Sequence, residues 1–456
     1  VPTINGRVSN WYDELPAYRP ALPGDRAADV CIVGGGYTGL WTAYYLKRAD
    51  PSLRIAILEA RFAGFGASGR NGGWLSGLVP ADRHRMAAQH GRDGVVAWQR
   101  ALNEAIDEVI DVAASESIDA GIVKGGNLQI ARNAAQAQRL AAEAEEELSW
   151  KVDGIAVLSK AEAAERIRFD GVVAAYHNPH CARIQPARLA RGLADVVERL
   201  GVDLYEQSPV TDITRGKAVT AHGTVSAPIV LRATEGFTAA LPGLRRRWLP
   251  MNSSMIATEP IGDDLWETIG WAGRETVGDT AHGFFYAQRT IDNRIAIGGR
   301  SVPYRYASRT DKDGVVPERT ITHLTETLRA VLPQIRDVRI AHGWCGVLAV
   351  PRDWSASIAL DKSTGLGWAG GYVGHGVTAT NLAGRTLADL VLDQASPLTE
   401  LPWVGHQSPT WEPEPLRWLG VRSMYLAYKV ADWHEARGRS TTSPIAVVAD
   451  KIAGRP

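Results

Sequence analysis

Apolar positions along this chain follow two rhythms: short continuous runs that end in glycine, and longer segments spaced for a helix. The runs at 30–33 and 55–58 read as buried parallel strands, and those at 202–205, 210–213, 229–233 and 366–369 as further short strands. Helical spacing covers 38–49, 86–115, 133–150, 184–200 and 377–392, with residues 121–130 alternating like a strand pair. A strand–turn–helix unit at the start is therefore left and re-entered twice. The intervening stretches, the second with strand-like runs at 283–289 and 294–300 around a turn at Asp292–Asn293, predict an inserted domain. The expected division is 27–80, 184–248 and 341–400 for the first domain, and 81–183 and 249–340 for the second. Residues 401–456 form a helical extension, in which Trp418, Val421, Tyr425 and Tyr428 make one stripe on a helix at 415–437 that docks onto the protein's own surface.

The glycines supply the chemistry. After the first strand they are spaced G-x-G-x-x-G: Gly34 permits the tight turn, Gly36 lets backbone approach a pyrophosphate, and Gly39 lets helix and strand pack closely. The helix amino terminus then faces the phosphates with free N–H groups and its positive dipole end. Glu59 closes the next strand twenty residues beyond Gly39, where a ribose hydroxyl needs an acceptor. A plain glycine turn with a surface Glu is the blander alternative. A second glycine-rich loop, 64–73, interleaves Ser68, Arg70, Asn71 and Trp74, which a flexible linker would not. A third, Gly370 to Gly376, again precedes a helix, whose dipole suits negative charge developing on a flavin ring. An enzyme using NAD alone has no evident need of it.

Composition narrows the field. Fifty Lys plus Arg balance fifty Asp plus Glu, which argues against a dedicated nucleic-acid binder. Three cysteines offer neither a disulfide framework nor metal-ligand spacing, and a reducing cytoplasm suits them. No apolar run approaches a membrane span. Fifteen tryptophans serve either core packing or an apolar, aromatic-lined pocket. Oligomeric state stays open, a homo-oligomer included.

Taken together, the segments Gly34–Gly39, Glu59–Arg61, Gly66–Gly73 and Gly371–Gly376 resemble the D-amino-acid oxidase-type (DAO) family of FAD-dependent amine oxidoreductases, in its gamma-glutamylputrescine oxidoreductase-like branch. The resemblance spans about residues 27–400. It implies an α/β fold with a discontinuous Rossmann-like FAD-binding domain, an inserted α+β substrate domain and a C-terminal helical tail. Carried over by position, Gly34, Gly36, Tyr37, Thr38 and Gly39 would hold the pyrophosphate, and Glu59, with Ala60 and Arg61, the adenosine ribose. Ala67, Ser68, Gly69, Arg70, Asn71, Gly72 and Gly73 would border pyrophosphate and flavin. Val210 and Ala233 belong to the adenosine side, while Gly371, Tyr372, Gly374, His375, Gly376, Val377 and Thr378 would edge the flavin ring. The family removes a hydride equivalent from the carbon beside a neutral amine, and the resulting imine hydrolyses. Trp74, Tyr286, Trp344 and His375 would line the reacting face, with Arg300 an anchor for a substrate carboxylate. Cys345 stands where sarcosine-oxidase-like relatives carry a cysteine bonded to FAD; a buried, inert thiol is the alternative. The chain departs from the family at Glu235, where Asn or Gly is more usual, and at Val350–Asp353. Three rivals remain at this point: a sarcosine-type N-demethylating oxidase, a non-catalytic flavin-binding protein with a docking tail, and a NAD-only dehydrogenase.

Overall fold

The computed structural model describes residues 2–299, 304–311 and 313–455, and two sheets organise it. The first has six strands in the order Asp203–Tyr205, Ile55–Leu58, Val30–Val33, Ile229–Arg232, Leu366–Gly370 and Ser357–Asp361. Neighbours run parallel except for the last pair, a hairpin. Alternation inside the short apolar runs explains why they had to be apolar throughout. Val30, Ile32, Ile55 and Ile57 enter one cluster with the helices Tyr37–Ala49, Arg92–Ser115, Pro186–Arg199 and Gly376–Val391. Cys31, Val33, Ala56 and Leu58 enter another, against the small sheet of Val210–Thr214, Lys217–Thr220, Gly223–Ser226 and Arg26–Ala27. Both faces of the strands are thus covered.

The second sheet has nine strands, in the order Ile4–Asn5, Ile340–Val350, Leu249–Thr258, Ile295–Gly299, Phe285–Arg289, Thr276–Asp279, Asn127–Ala131, Ala174–Asn178 and Ala156–Leu158. Its apolar cluster includes Leu324, Leu328 and Val331 of the helix Glu318–Val331. The expected boundary at 341 falls inside Ile340–Val350, which pairs along its length with Leu249–Thr258 in this sheet. Two local expectations change. The helix expected over 86–115 is two helices, Arg83–His90 and Arg92–Ser115, parted at Gly91 with φ 80°. The strand pair expected over 121–130 is the single strand Asn127–Ala131 plus an isolated bridge from Val123 to Arg183.

The tail helices Leu416–Glu435 and Pro444–Ala453 pack on each other through Tyr428, Ala431, Ala446 and Ala449. Trp418, Val421 and Tyr425 cover Leu249, Met251, Tyr304 and Val350, so the stripe does dock onto the chain itself. No helix among the described residues is long and apolar enough to cross a membrane.

Candidate active site

Between the two sheets lies a cavity of about 810 Å³, within the range that holds a cofactor or substrate. Its wall combines Glu59, Ala60, Arg61 and Val210; Gly34, Gly36, Tyr37, Thr38, Ala67, Ser68, Arg70, Asn71, Gly72 and Ala233; and an aromatic part of Trp74, Tyr286 and the loop Tyr372–Val377. Residues spread over the whole sequence therefore meet on one surface.

Side chains tie the loops together. Ser68 Oγ accepts the Tyr37 N–H at 2.8 Å, fixing the start of the helix Tyr37–Ala49. Glu59 accepts the N–H groups of Gly35 and Arg61 at 2.8 and 2.9 Å, and burial raises its carboxyl above the usual range. Asn71 donates to the carbonyls of Ala67 and Ser68 and accepts from the Gly73 N–H, stapling its own loop. Tyr372 Oη and Thr38 Oγ1 lie 3.0 Å apart, joining the first glycine turn to the last.

The glycines keep the cradle open. A Cβ on Gly34 would sit 2.5 Å from the Ala233 carbonyl, and one on Gly36 would sit 2.9 Å from Ser68 Oγ. Two buried polar atoms of wall residues, Arg70 Nη2 and Trp74 Nε1, have no protein partner. The helix Gly376–Val391 starts at His375 with no side-chain cap and no acid in its first turn, and Gly374, His375, Gly376 and Val377 all reach the wall. Orphaned donors, two open helix starts and a ribose-type acceptor together fit FAD.

In the aromatic part of the wall Trp74 and Tyr286 meet edge to face, centroids 6.1 Å apart, and Tyr286 Oη lies 2.9 Å from Ser253 Oγ. Burial pushes the Tyr286 phenol up to about 12 and the His375 imidazole down to about 4, so both are uncharged near neutrality.

Not every expected residue forms the wall. Trp344 is fully buried behind it, donating to the Arg70 carbonyl at 3.0 Å and packing edge-on to Trp11, so it supports the loop and does not line the reacting face. Gly39, Gly69, Gly73, Gly371 and Thr378 also stand behind the surface; a Cβ on Gly39 would meet the Gly34 carbonyl at 2.1 Å. Arg70 spends its Nη1 on Asp311 at 2.9 Å and its Nε on the Phe65 carbonyl, a buried lock that leaves only Nη2 without a protein partner. Cys345 is buried off the wall, its Sγ 3.5 Å from the Val315 carbonyl, and burial pushes the thiol up to about 12. Arg300 lies outside the described residues.

Sequence reasoning passed over several wall residues: Ser253, Phe284, Trp354, Arg455 and Glu235. The first four come from segments with no local motif. Glu235 carried a signal, its departure from the family pattern.

Comparison with known proteins agrees with this geometry. The family model for FAD dependent oxidoreductases (DAO) matches residues 29–390. The gamma-glutamylputrescine oxidoreductase of Escherichia coli K12 is 32% identical over 376 residues, 80% of this chain and 84% of its own length. The probable oxidoreductase OrdL of Haemophilus influenzae is 28% identical, covering 82% of this chain and 85% of its own. Among solved structures, glycine oxidase from Geobacillus kaustophilus shares the fold with a TM-score of 0.69 at 22% identity, over 81% of this chain and 96% of that one.

Proposed function

The chain belongs to the DAO family of FAD-dependent oxidoreductases, and within it we propose that this member oxidises the C–N bond of a primary or secondary amine or amino acid, releasing an imine that hydrolyses. The observation that carries this reading is the aromatic part of the cavity wall, with Trp74, Tyr286 and neutral His375 beside the open start of Gly376–Val391. Bound FAD supplies the hydride acceptor. The chain's own task is to hold the substrate C–H bond in line and to keep water out. An apolar wall disfavours an ammonium, so the amine reacts in its neutral form without a strong base. His375, uncharged near pH 7, opposes no incoming amine, and Tyr286 keeps its proton to donate or accept a hydrogen bond.

The six-stranded half is assigned to the cofactor and the nine-stranded half to the substrate. Cys345, off the cavity wall and with its thiol held protonated, supports noncovalent FAD. Three buried, unpaired cysteines support a reducing, cytoplasmic setting.

Anaerobic addition of a panel of amines and amino acids to the purified yellow protein tests the reading. At least one of them is expected to bleach the flavin bands, and acid precipitation to release the colour into the supernatant. A flavin that dithionite bleaches and no amine does would establish a non-catalytic flavoprotein; colour kept in the pellet would restore a covalent bond.

A further inference from the structure

One residue of the cavity wall, Arg455, lies outside the family match at 29–390. The helix Pro444–Ala453 ends in Gly454, whose φ of 66° turns the chain so that Arg455 joins the cavity wall. That helix end is pinned in place: the Ala453 carbonyl accepts from Arg352 Nη1 at 3.2 Å and from Trp354 Nε1 at 3.1 Å, and Trp354 is itself a wall residue.

Three arginines line the cavity among the described residues. Arg61 faces Asp313 at 3.3 Å, and Arg70 is fully buried and locked to Asp311 with only Nη2 left unpartnered. Arg455 differs. Its nearest carboxylate oxygen, on Asp450, is 3.7 Å away and already accepts the Tyr428 hydroxyl at 2.6 Å; its guanidinium lies 5.5 Å from the Tyr428 ring. The guanidinium is thus held by the hydroxyl and ring of Tyr428 and by a loose ion pair with Asp450, and of its five N–H donors others remain for a planar anion.

We propose that Arg455 of the C-terminal tail binds a carboxylate of the substrate, so that the tail selects carboxylate-bearing amines for the aromatic part of the cavity. This rests on the amine-oxidising reading above. A carboxylate here would meet a fork of N–H donors while the carbon chain lies along Trp354, Phe284 and Tyr286, which line the same cavity.

The test uses full-length holoenzyme and two unreactive probes, hexanoate and its neutral isostere hexanamide, followed by calorimetry and by perturbation of the FAD spectrum. Wild type is expected to prefer hexanoate, Arg455→Gln to weaken hexanoate about ten- to hundredfold with hexanamide unchanged, and Arg455→Lys to keep part of the preference. Equal hexanoate affinity in wild type and Arg455→Gln, no hexanoate binding to wild type, or equal losses for both probes would overturn the proposal. A parallel comparison of 6-aminohexanoate with hexylamine reads flavin reduction in the same proteins. Failure of every amine to reduce the flavin, with the hexanoate preference intact, would sink the oxidase reading and leave the carboxylate site standing.

Discussion

Glu235 reaches far along the sequence to hold together two segments that both reach the cavity. Its Oε1 accepts the Ala349 N–H at 3.0 Å and its Oε2 the Gly371 N–H at 2.8 Å. Its backbone sits at φ 40°, a region that favours Gly and Asn, which gives a physical reason for those residues being usual in relatives. Here the strained conformation is retained because the side chain bridges the strand and the loop. Burial is the largest influence on this carboxyl and lifts it to about 7, well above the unfolded value, despite the backbone donors. With the folded pKa raised, the folded state binds the extra proton between about pH 4.5 and 7. The contribution of Glu235 to stability is therefore full below that window and is lost as pH rises through 7. Glu235→Gln removes the titration and keeps one of the two acceptor oxygens, so its melting temperature relative to wild type should start lower, climb between about pH 4.5 and 7 and level off above; a flat difference profile would refute the assignment. At this scale the sequence was legible where backbone geometry dictates residue type, as at Gly34, Gly36 and Gly39. It was silent where a side chain works across the fold, as Glu235 and Arg455 do.

The two helices whose starts face the cavity also pack on each other, and one small residue sets how closely. A Cβ on Gly384, in Gly376–Val391, would lie 2.6 Å from Trp41 Cβ in Tyr37–Ala49, and Trp41 is fully buried. Gly384→Val should push the helices apart and misalign both glycine loops at once, costing about 1–3 kcal/mol and lowering FAD retention. Gly420, in Leu416–Glu435, has nothing within 4 Å of a built Cβ, so Gly420→Ala should leave the melting temperature level or raise it. Thermal melts with FAD release read on the same samples decide the matter; equal behaviour of the two variants would remove the packing argument. Elements of this kind were readable because their apolar spacing is local. The break at Gly91 was not, because glycine inside a helical pattern is compatible with either a continuous helix or a left-handed stop.

Across the whole molecule, the first sheet followed from its strand–glycine–helix units, each of which announces a parallel neighbour. The nine-strand order did not, since Asn127–Ala131 pairs in parallel with Thr276–Asp279 across a separation that no local pattern encodes. The placement of the tail is likewise long-range, and it is held by more than its aromatic stripe. Glu435, 1% exposed, accepts from Arg139 Nη1 and Nη2 at 3.0 and 2.7 Å and lies 2.9 Å from His282 Nε2. One turn earlier, Asp432 accepts the backbone N–H groups of His282 and Gly283 at 2.9 and 2.7 Å. Those residues lead directly into Phe285–Arg289, the strand that carries Tyr286, so the clasp couples the position of the tail to the aromatic part of the cavity wall. Replacing this buried carboxylate by an amide removes its charge and one of its two acceptor oxygens and turns an NH2 donor toward Arg139 or His282, a loss of about 1–3 kcal/mol. Glu435→Gln should therefore release the tail before the core: amide exchange should quicken about ten- to hundredfold across 416–453, while the strands Val30–Val33 and Ile55–Leu58 stay as protected as in wild type. If Arg455 reads the substrate from a tail held this way, the same variant should also lose hexanoate affinity while retaining its FAD. Unchanged exchange in the tail would instead mean that the aromatic stripe alone keeps it docked.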